Sequence, residues 1–581
     1  AKQCGALPLA LNVAAALLAA RPDWTPARLI ERLQDERTRL ARLKSAGDPD
    51  LDVEASLSLS YQLLSDDDRR RYRLLGVFPA PFDLPALAAI WGEAAEACDE
   101  ALGRLLRLNL LEARPQEMPY ELHDLVRLHA EGLLRAQSDE WPAAVQCHAD
   151  TFLERGWDAD ELYRQGGEHI LESLRRFDTL WPHLQAAYER SLPNAGQPLA
   201  DRWLSDFLCA VVYTLNLRLP PRQYILLFEN ALAAARRLKD RSAEGIHLCN
   251  LGLAYWNLGE LRRAIEVHEQ ALVIAQEIGD KRGEGKALGN LGLAYWSLGK
   301  PRRAIEVHEQ ALIISRKISD RRGEGQDLNH LGLAYYLLGE PRRAIEYYEQ
   351  SLVIEREIGD KREEGDIISN LGAAYADLSE LCRAIEYYEQ ALVIHREIGD
   401  KRSEGATLGN LGSAYYLLGE PRRAMEYYEQ QRGITREISD RLGEGIALGN
   451  LGVAYASLGE PRRAIEHYEQ QRGIAREIGD RRSEGAALGN LGSVYDDLSE
   501  PHRAMEFYEQ SLAIKREIGD RQSEANTCWN IGLLFATQGE FKRAAGLMQV
   551  RVDFLRAIGH PGAEEAAKQV EEMEKRMKDE R

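Results

Sequence analysis

The chain has 581 residues, 44% of them hydrophobic, a net charge of −19 at pH 7 and seven widely spaced cysteines. The acidic charge disfavours non-specific binding to nucleic acid, and no apolar run approaches the roughly 18 residues that a membrane-spanning helix needs. The cysteines are odd in number and form no CxxC pair, which argues against a disulfide framework and for a reducing cytoplasm.

The N-terminal part has helical patterns over about 7–20 and 26–43, and we assign residues 1–48 to a helical subdomain. In residues 49–138, further helical patterns lead to two short strand-like segments, 110–113 and 120–123, around a turn that contains proline. Helices followed by such a β-wing are typical of a winged-helix domain. Residues 139–202 have a helical pattern and are expected to couple this domain to the rest of the chain.

From about residue 243 to 562 the sequence repeats every 40 residues without slippage, which gives eight copies, numbered 1 to 8 below. A degenerate ninth copy precedes them, so we assign the array to 203–562. One column of the array is always glycine: Gly252, Gly292, Gly332, Gly372, Gly412, Gly452, Gly492 and Gly532. Another is always alanine: Ala264, Ala304, Ala344, Ala384, Ala424, Ala464, Ala504 and Ala544. We expect these small residues to let two helices approach closely.

Each copy contains two amphipathic helical patterns. In the first pattern of copy 1, Leu248, Leu251 and Tyr255 have the spacing of one helical face. Asp280 is placed to cap the next helix, and residues 563–581 predict a polar helix that caps the array. Because a single hairpin cannot bury both of its faces, the copies must stack. The sequence therefore predicts an all-α superhelical solenoid of helical hairpins.

The recurring pattern NLGxAYxxLGExxRAIEYYEQAL resembles the tetratricopeptide repeat (TPR), whose usual length is about 34 residues. The longer, 40-residue form is similar to the repeats of kinesin light chains and of spindle-orientation adaptors, which bind peptides. The resemblance covers more than half of the chain. It implies that the concave groove of the solenoid binds a protein or a peptide.

The first helix of each copy carries one amide column, interrupted by a histidine, on the side away from its apolar face. The column consists of Asn250, Asn290, His330, Asn370, Asn410, Asn450, Asn490 and Asn530. Because a primary amide both donates and accepts hydrogen bonds, such a column can hold the main chain of an extended peptide. The alternative is that each amide bonds to a neighbouring helix and only fixes the geometry of the repeat.

Aromatic and acidic residues vary between copies along the same stripe. The candidates are Trp256, Trp296, Tyr336, Tyr416, Asp366 and Asp377. Aromatic anchors beside carboxylates suit a peptide with apolar and basic side chains. The alternative is a solvated rim without a selected partner. The many Glu and Arg residues at helical spacings of three and four are interpreted as solvated ion pairs.

Three motifs of the N-terminal part resemble, in order, the C-terminal part of the NB-ARC module of STAND-class nucleotide switches. GALPLAL (5–11) matches the GLPL motif of that family, SLSYQLL (58–64) its SYxxL segment, and Leu122-His123-Asp124 its Met-His-Asp motif. The resemblance implies that Pro8 packs near adenine and that His123 contacts the β-phosphate of ADP. Residues 1–48 are thus interpreted as a remnant of the helical subdomain of that module.

Neither a G-x-x-x-x-G-K-[ST] phosphate loop nor a strand-plus-Asp motif for magnesium is found in the sequence. We therefore expect this chain not to be an enzyme and to hold no cofactor or metal ion of its own. ADP or ATP with magnesium is expected in the full-length protein, bound by a core upstream of this fragment.

Together these features predict the sensor and regulatory arm of a STAND-class signal-transduction NTPase in the cytoplasm. The solenoid would bind a protein or peptide, control the upstream nucleotide-binding core and allow oligomerisation on activation. Neither nucleic acid nor a membrane is an expected partner. Two alternatives remain: a TPR scaffold without switching, and a winged-helix DNA reader that uses the basic cluster 69–73, whose field the acidic run 66–68 weakens.

Overall fold

The computed structural model describes residues 25–26, 61, 64–107, 110–114, 118–165 and 169–579. Pro8 and the predicted helices over 7–20 and 26–43, apart from residue 26, lie outside these described residues. The chain divides at Ala294 into two compact units, residues 1–294 and 295–581, and each is described by itself. The five-part division predicted from the sequence stays a prediction.

The first unit is helical apart from a small β-wing. Its elements are α1 (Asp66–Leu75), α2 (Leu84–Trp91), α3 (Ala95–Arg107), β1 (Glu112–Ala113), β2 (Tyr120–Glu121), α4 (Asp124–Arg135), α5 (Glu140–Gln165), α6 (His169–Ser191), α7 (Pro198–Arg218), α8 (Pro221–Leu238), α9 (Arg241–Asn257), α10 (Leu261–Ile278) and most of α11 (Lys281–Ser297). The two strands are antiparallel, with Ala113 opposite Tyr120. This confirms the predicted wing, and Phe82 forms a further bridge to Tyr120.

The second unit contains the remaining helices. They are α12 (Pro301–Lys317), α13 (Arg321–Leu337), α14 (Pro341–Ile358), α15 (Lys361–Asp377), α16 (Leu381–Glu397), α17 (Lys401–Leu417), α18 (Pro421–Glu437), α19 (Arg441–Ser457), α20 (Pro461–Ile478), α21 (Arg481–Asp497), α22 (Pro501–Glu517), α23 (Arg521–Thr537), α24 (Phe541–Ala557) and α25 (Ala563–Asp579). Each copy from 3 to 8 is a hairpin of two packed helices, and α7 with α8 forms the degenerate hairpin before copy 1. The predicted TPR solenoid is therefore confirmed.

Local chemistry explains where the helices begin and how they pair. The carboxylate of Asp320 accepts a hydrogen bond from the backbone N–H of Gly323 (3.0 Å) and caps α13, as the sequence predicts for this column. Ala344 is fully buried between the helices of copy 3. The space beside Gly332 is occupied by the Tyr348 ring and not by the backbone of the second helix. An added Cβ at Gly332 would lie 2.5 Å from that ring.

One glutamate column was wrongly interpreted as a set of solvated ion pairs. Glu404 is only 4% exposed, and its carboxylate binds Arg396 Nε (2.8 Å) and Lys401 Nζ (3.0 Å). Burial alone would raise the pKa of Glu404, but the two cations lower it below its ordinary value. Arg396 belongs to the preceding copy, so this ion pair joins successive repeats. The other buried members of the column are Glu244, Glu284, Glu324, Glu364, Glu444 and Glu484.

Candidate peptide-binding groove

In the second unit, the first helices of successive copies pack on one another from α13 through α15, α17, α19 and α21 to α23. Successive second helices pack on one another less extensively, so the first helices lie on the inner side of a curved stack. The face of these helices that points away from their second helices is called the inner surface below. It is the surface on which the amide column was predicted.

The amide column in this unit is only partly accessible. Asn410 is exposed, and the other asparagines of the column in this unit, Asn370, Asn450, Asn490 and Asn530, are partly buried. Two amides have partners within the chain: Asn370 donates to Asn329 Oδ1 (3.4 Å), and the side chain of Asn530 bonds that of Tyr508. These two contacts are of the kind that the repeat-geometry alternative expects, and binding of a peptide by the other amides stays a prediction. Asn250 and Asn290 are partly buried on α9 and α11 of the first unit.

His330, which interrupts the column, belongs to a polar cluster between copies 2 and 3. Its ring lies against that of His308, with 4.9 Å between the ring centres. His308 Nδ1 lies 3.3 Å from Asp327 Oδ1, and Ser315 donates to Asp327 Oδ2 (3.0 Å). Burial lowers the pKa of each histidine to about 4 and raises the pKa of Asp327 to about 7. Both rings are therefore neutral at pH 7.

Two apolar patches on the inner surface are separated by one copy. Tyr336 and Tyr416 are partly buried on α13 and α17. Leu337 and Leu417 follow them and are 51% and 66% exposed. The sequence analysis missed these leucines, because a single leucine at the end of a helix is usually part of the core. Their signal is that the same column holds Asn, Ser, Asp or Thr in the other copies.

Acidic residues occupy the copy between these two patches. Asp377 is exposed at the end of α15, and its carboxylate accepts a hydrogen bond from the Tyr336 hydroxyl. Burial and this carboxylate raise the pKa of Tyr336 to about 12. Asp366, near the start of the same helix, is partly buried and accepts a hydrogen bond from Ser403 Oγ (3.3 Å). The structure thus brings Tyr336 and Asp377 together and holds Asp366 apart from them.

The two predicted tryptophans belong to different units. Trp256, on α9, is partly buried against the core of the first unit. Trp296 is partly buried against the core of the second unit. Among the described residues, its indole Nε1 is buried and has no hydrogen-bond partner.

His123 caps a helix in the first unit. Its Nδ1 accepts a hydrogen bond from the backbone N–H of Leu125 (3.4 Å) at the start of α4, directly after the wing. Pro8, the other predicted nucleotide contact, lies outside the described residues. The predicted contact of His123 with the β-phosphate of ADP therefore stays a prediction.

Three of the four arginines of the basic cluster in α1 are paired with carboxylates of the same chain, and Arg70 donates to the Trp91 carbonyl (3.5 Å). Arg71 Nη1 lies 2.8 Å from Asp68 and its Nε 2.9 Å from Glu93, and Arg73 lies 2.8 Å from Glu140. Arg69 pairs with Asp66 (3.0 Å). These pairs neutralise most of the local positive charge on which the DNA-binding alternative rests.

Comparisons with known proteins agree with the repeats and with the resemblance to STAND regulators. A family model described as the tetratricopeptide repeat matches residues 245–317, 283–356, 363–437 and 443–517. The chain therefore contains tetratricopeptide repeats, which are non-catalytic interaction modules.

Regulatory protein AfsR of Streptomyces coelicolor is 41% identical over 128 residues, which are 22% of this chain and 12% of that protein. AfsR of Streptomyces griseus is 39% identical over 140 residues, 24% of this chain and 14% of that protein. The chain thus matches about one eighth of the length of these regulators.

A solved structure from Pyrococcus horikoshii, a Signal Transduction ATPase with Numerous Domains (STAND) protein with a tetratricopeptide repeat sensor, has a similar fold. The TM-score is 0.56 at 17% identity, and the match covers 89% of this chain and 74% of the other. At this identity the likeness concerns the fold.

No helix among the described residues is long and apolar enough to cross a membrane. No three histidines, cysteines or carboxylates of the described part of the chain are grouped so that they could hold a metal ion.

Proposed function

We propose that this chain is the sensor arm of a STAND-type regulator and that the inner surface of its second unit binds an extended peptide segment of a protein trigger. The observation that carries the proposal is the alternation of exposed apolar and acidic residues on this surface. Tyr336 with Leu337 and Tyr416 with Leu417 flank the copy that presents Asp377. On the same three helices, the exposed amide of Asn410 is available for the peptide main chain.

The spacing of these residues defines the ligand further. Packed helices lie about 8–10 Å apart, so the two apolar patches, two helices apart, are separated by roughly 16–20 Å. An extended peptide spans this distance in about five or six residues, since each residue advances it by about 3.3 Å. The ligand we propose has two apolar side chains at that spacing and a basic side chain between them, opposite Asp377.

Binding would act on a switch outside this fragment. In the proposed mechanism, the trigger binds one arrangement of the sensor better than the other and so shifts the equilibrium of an upstream nucleotide-binding core. That core would exchange ADP for ATP with magnesium in the cytoplasm and then oligomerise. The AfsR matches and the STAND-like fold support this proposal.

Selection from a random twelve-residue peptide library on the 581-residue chain tests the groove. The selected peptides should bind the variant Leu337→Ser/Leu417→Ser at least tenfold more weakly, because both apolar patches lose their exposed side chains. Serine already occupies this column as Ser297 and Ser457, so the fold should be kept. The control variant, Ile313→Ala/Val393→Ala, removes exposed side chains from second helices and should bind normally. Equal weakening in both variants would contradict the groove proposal.

A second test separates a sensor from a passive scaffold. In the full-length protein, removal of the repeats should change the rate of nucleotide exchange and the extent of oligomerisation. If neither quantity changes, the repeats are a scaffold without a switching role.

A further inference from the structure

The junction between copies 3 and 4 differs from every other junction of the array. It has three carboxylates, Glu355, Glu363 and Asp366, in columns where no other copy has Asp or Glu. At the other junctions, the position of Glu355 is taken by Ala275, Ser315, His395, Thr435, Ala475 and Lys515. The position of Glu363 is taken by Gly283, Gly323, Ser403, Gly443, Ser483 and Ser523. The position of Asp366 is taken by Lys286, Gln326, Ala406, Ile446, Ala486 and Asn526. We call Glu355, Glu363 and Asp366 the junction pocket.

Glu363 lies within electrostatic range of both other carboxylates of the junction pocket. Glu355, on α14, is only 2% exposed, and its Oε1 occupies the space beside Gly325 where an added Cβ would collide with it. The negative charges that act on Glu355 come from Glu363 and Asp360. Asp366 acts in turn on Glu363. Glu363 thus links the buried carboxylate of Glu355 to Asp366, which is partly buried on α15.

The arginines near this junction are largely exposed to solvent and lie close to other carboxylates. Arg322 acts on both Glu355 and Glu363 but is largely exposed and lies 3.8 Å from Asp360. Arg362 acts on Glu363 and Asp366, but it is also largely exposed and lies 3.5 Å from Asp400. The junction pocket therefore holds more negative charge than the described cations around it neutralise.

A buried histidine gives an independent indication of a ligand. His395, on α16, is 0% exposed, and neither ring nitrogen has a hydrogen-bond partner among the described residues. Its ring lies against Gly365, the neighbour of Asp366, and its electrostatic partners include Asp366 and Asp400. Burial lowers the pKa of His395, so the ring is neutral at pH 7 and does not balance the carboxylates.

Burial dominates the protonation of the three carboxylates, because the described cations around them offset it only in part. Burial raises the pKa of Glu355 to about 7, and it raises the pKa of Glu363 and of Asp366 as well. A buried carboxylate behaves in this way when it has no ionic partner. A cation placed among these groups would form charge-assisted hydrogen bonds and restore their ionised form.

We propose that the junction pocket binds a basic side chain of the protein or peptide ligand, with arginine preferred. The described residues do not converge as metal ligands do, whereas a guanidinium on a flexible stem can reach inward past Asp366 and offers five N–H donors in a plane. Asp366 and Asp377 are eleven residues apart on α15, which is about 16 Å along a helix. The pocket is therefore a second site for a basic group, distinct from the one opposite Asp377. This proposal depends on the proposed function only in one respect, which is that the bound basic group belongs to a polypeptide.

Calorimetric titration of the 581-residue chain with N-acetyl-arginine amide tests the pocket directly. The matched control ligand is N-acetyl-citrulline amide, which has nearly the same shape without the charge. We expect the arginine compound to bind at least tenfold more tightly. In two buffers of different ionisation enthalpy at pH 6.5, its binding should release about three quarters of a proton, because Glu355, with a pKa of about 7, becomes ionised.

Two variants localise the site. Glu355→Ser/Glu363→Gly/Asp366→Gln installs the residues of the preceding junction, Ser315, Gly323 and Gln326, and Glu355→Gln keeps the shape of the buried side chain without its charge. The triple variant should abolish the preference for arginine over citrulline, and Glu355→Gln should abolish the proton release. Equal binding of both compounds by the wild-type chain, or an unchanged preference in the triple variant, overturns the proposal. If library selection yields no peptides while the wild-type chain still prefers the arginine compound, the peptide-groove proposal is wrong and the junction-pocket proposal is retained.

Discussion

The junction between copies 3 and 4 and the junction between copies 6 and 7 have the same ionic framework and different interiors. In the first, Arg356 Nε binds the buried Glu364 at 2.8 Å; in the second, Arg476 Nε binds the buried Glu484 at 2.6 Å. The interior of the first contains the buried carboxylate of Glu355, and the equivalent position of the second is the buried methyl group of Ala475. Recurring residues therefore hold the stack, and varying residues decide what each junction can bind.

The largest loss of stability is expected from breaking the glycine–aromatic packing within a hairpin. Gly412→Val would place a side chain 2.5 Å from the Tyr428 ring, and such overpacking should lower the free energy of unfolding by about 3 kcal/mol. Chemical denaturation measures the loss, and hydrogen exchange should locate it in α17 and α18. Normal stability of this variant would show that the glycine column is not a packing requirement.

The next effect tests the buried glutamate column. Glu404→Gln leaves Arg396 and Lys401 without their shared carboxylate and should lower the free energy of unfolding by about 2 kcal/mol, since half-exposed cations regain water. The matched change Glu500→Gln removes an exposed partner of Arg503 (3.2 Å) and should cost less than about 0.5 kcal/mol. Equal losses would mean that burial of the column contributes nothing.

The polar junctions should make stability depend on pH. The pKa of Asp327 is raised from 3.8 to about 7, so the folded state binds a proton that the unfolded state releases. The free energy of unfolding should therefore fall by about 2–3 kcal/mol as the pH rises from about 5 to 8. His308 and Ser315 of α12, His330 of α13 and Asp320 face this carboxylate. Both histidines have a pKa of about 4 and stay neutral in this range.

The variant Asp327→Ala serves as the control for this pH dependence. Alanine already stands in that column as Ala287, Ala447 and Ala487. Thermal unfolding between pH 5 and 8 should show a smaller slope in the variant than in the wild-type chain. An unchanged slope would assign the effect to other groups, of which Glu355, with a pKa of about 7, is the first to examine.

The smallest effect is expected on the outer side of the later copies. Gly433 lies inside α18, and an added Cβ would meet nothing within 4 Å. Gly433→Ala should therefore raise the free energy of unfolding by about 0.5–1 kcal/mol through helix propensity alone. A loss of stability in this variant would contradict the open surroundings of this position.

Local rules account for what the sequence predicted correctly. The Asp320 cap, the buried Ala344 and the wing around Ala113 and Tyr120 follow from spacings within one hairpin or one turn. The burial of Glu404 could not be derived in this way, because its partner Arg396 belongs to the preceding copy and their contact depends on how the two copies stack.

The candidate site was less accessible to sequence reasoning than the fold. Tyr336, Tyr416 and the amide column were recognisable because they recur or vary at a fixed spacing. Leu337 and Leu417 were missed, because exposure at a helix end is decided by the turn that follows. The junction pocket depends on Glu355, which lies on a second helix, whereas the groove candidates predicted from the sequence lie on first helices.

Photo-crosslinking tests the central claim most directly. A peptide from the library selection would carry photo-leucine at one of its apolar positions and be crosslinked to the wild-type chain, and the modified residues would be mapped by mass spectrometry. Binding to the inner surface predicts crosslinks on α13 and α17, near Leu337 and Leu417. Crosslinks confined to the second helices, or to the first unit, would contradict the account.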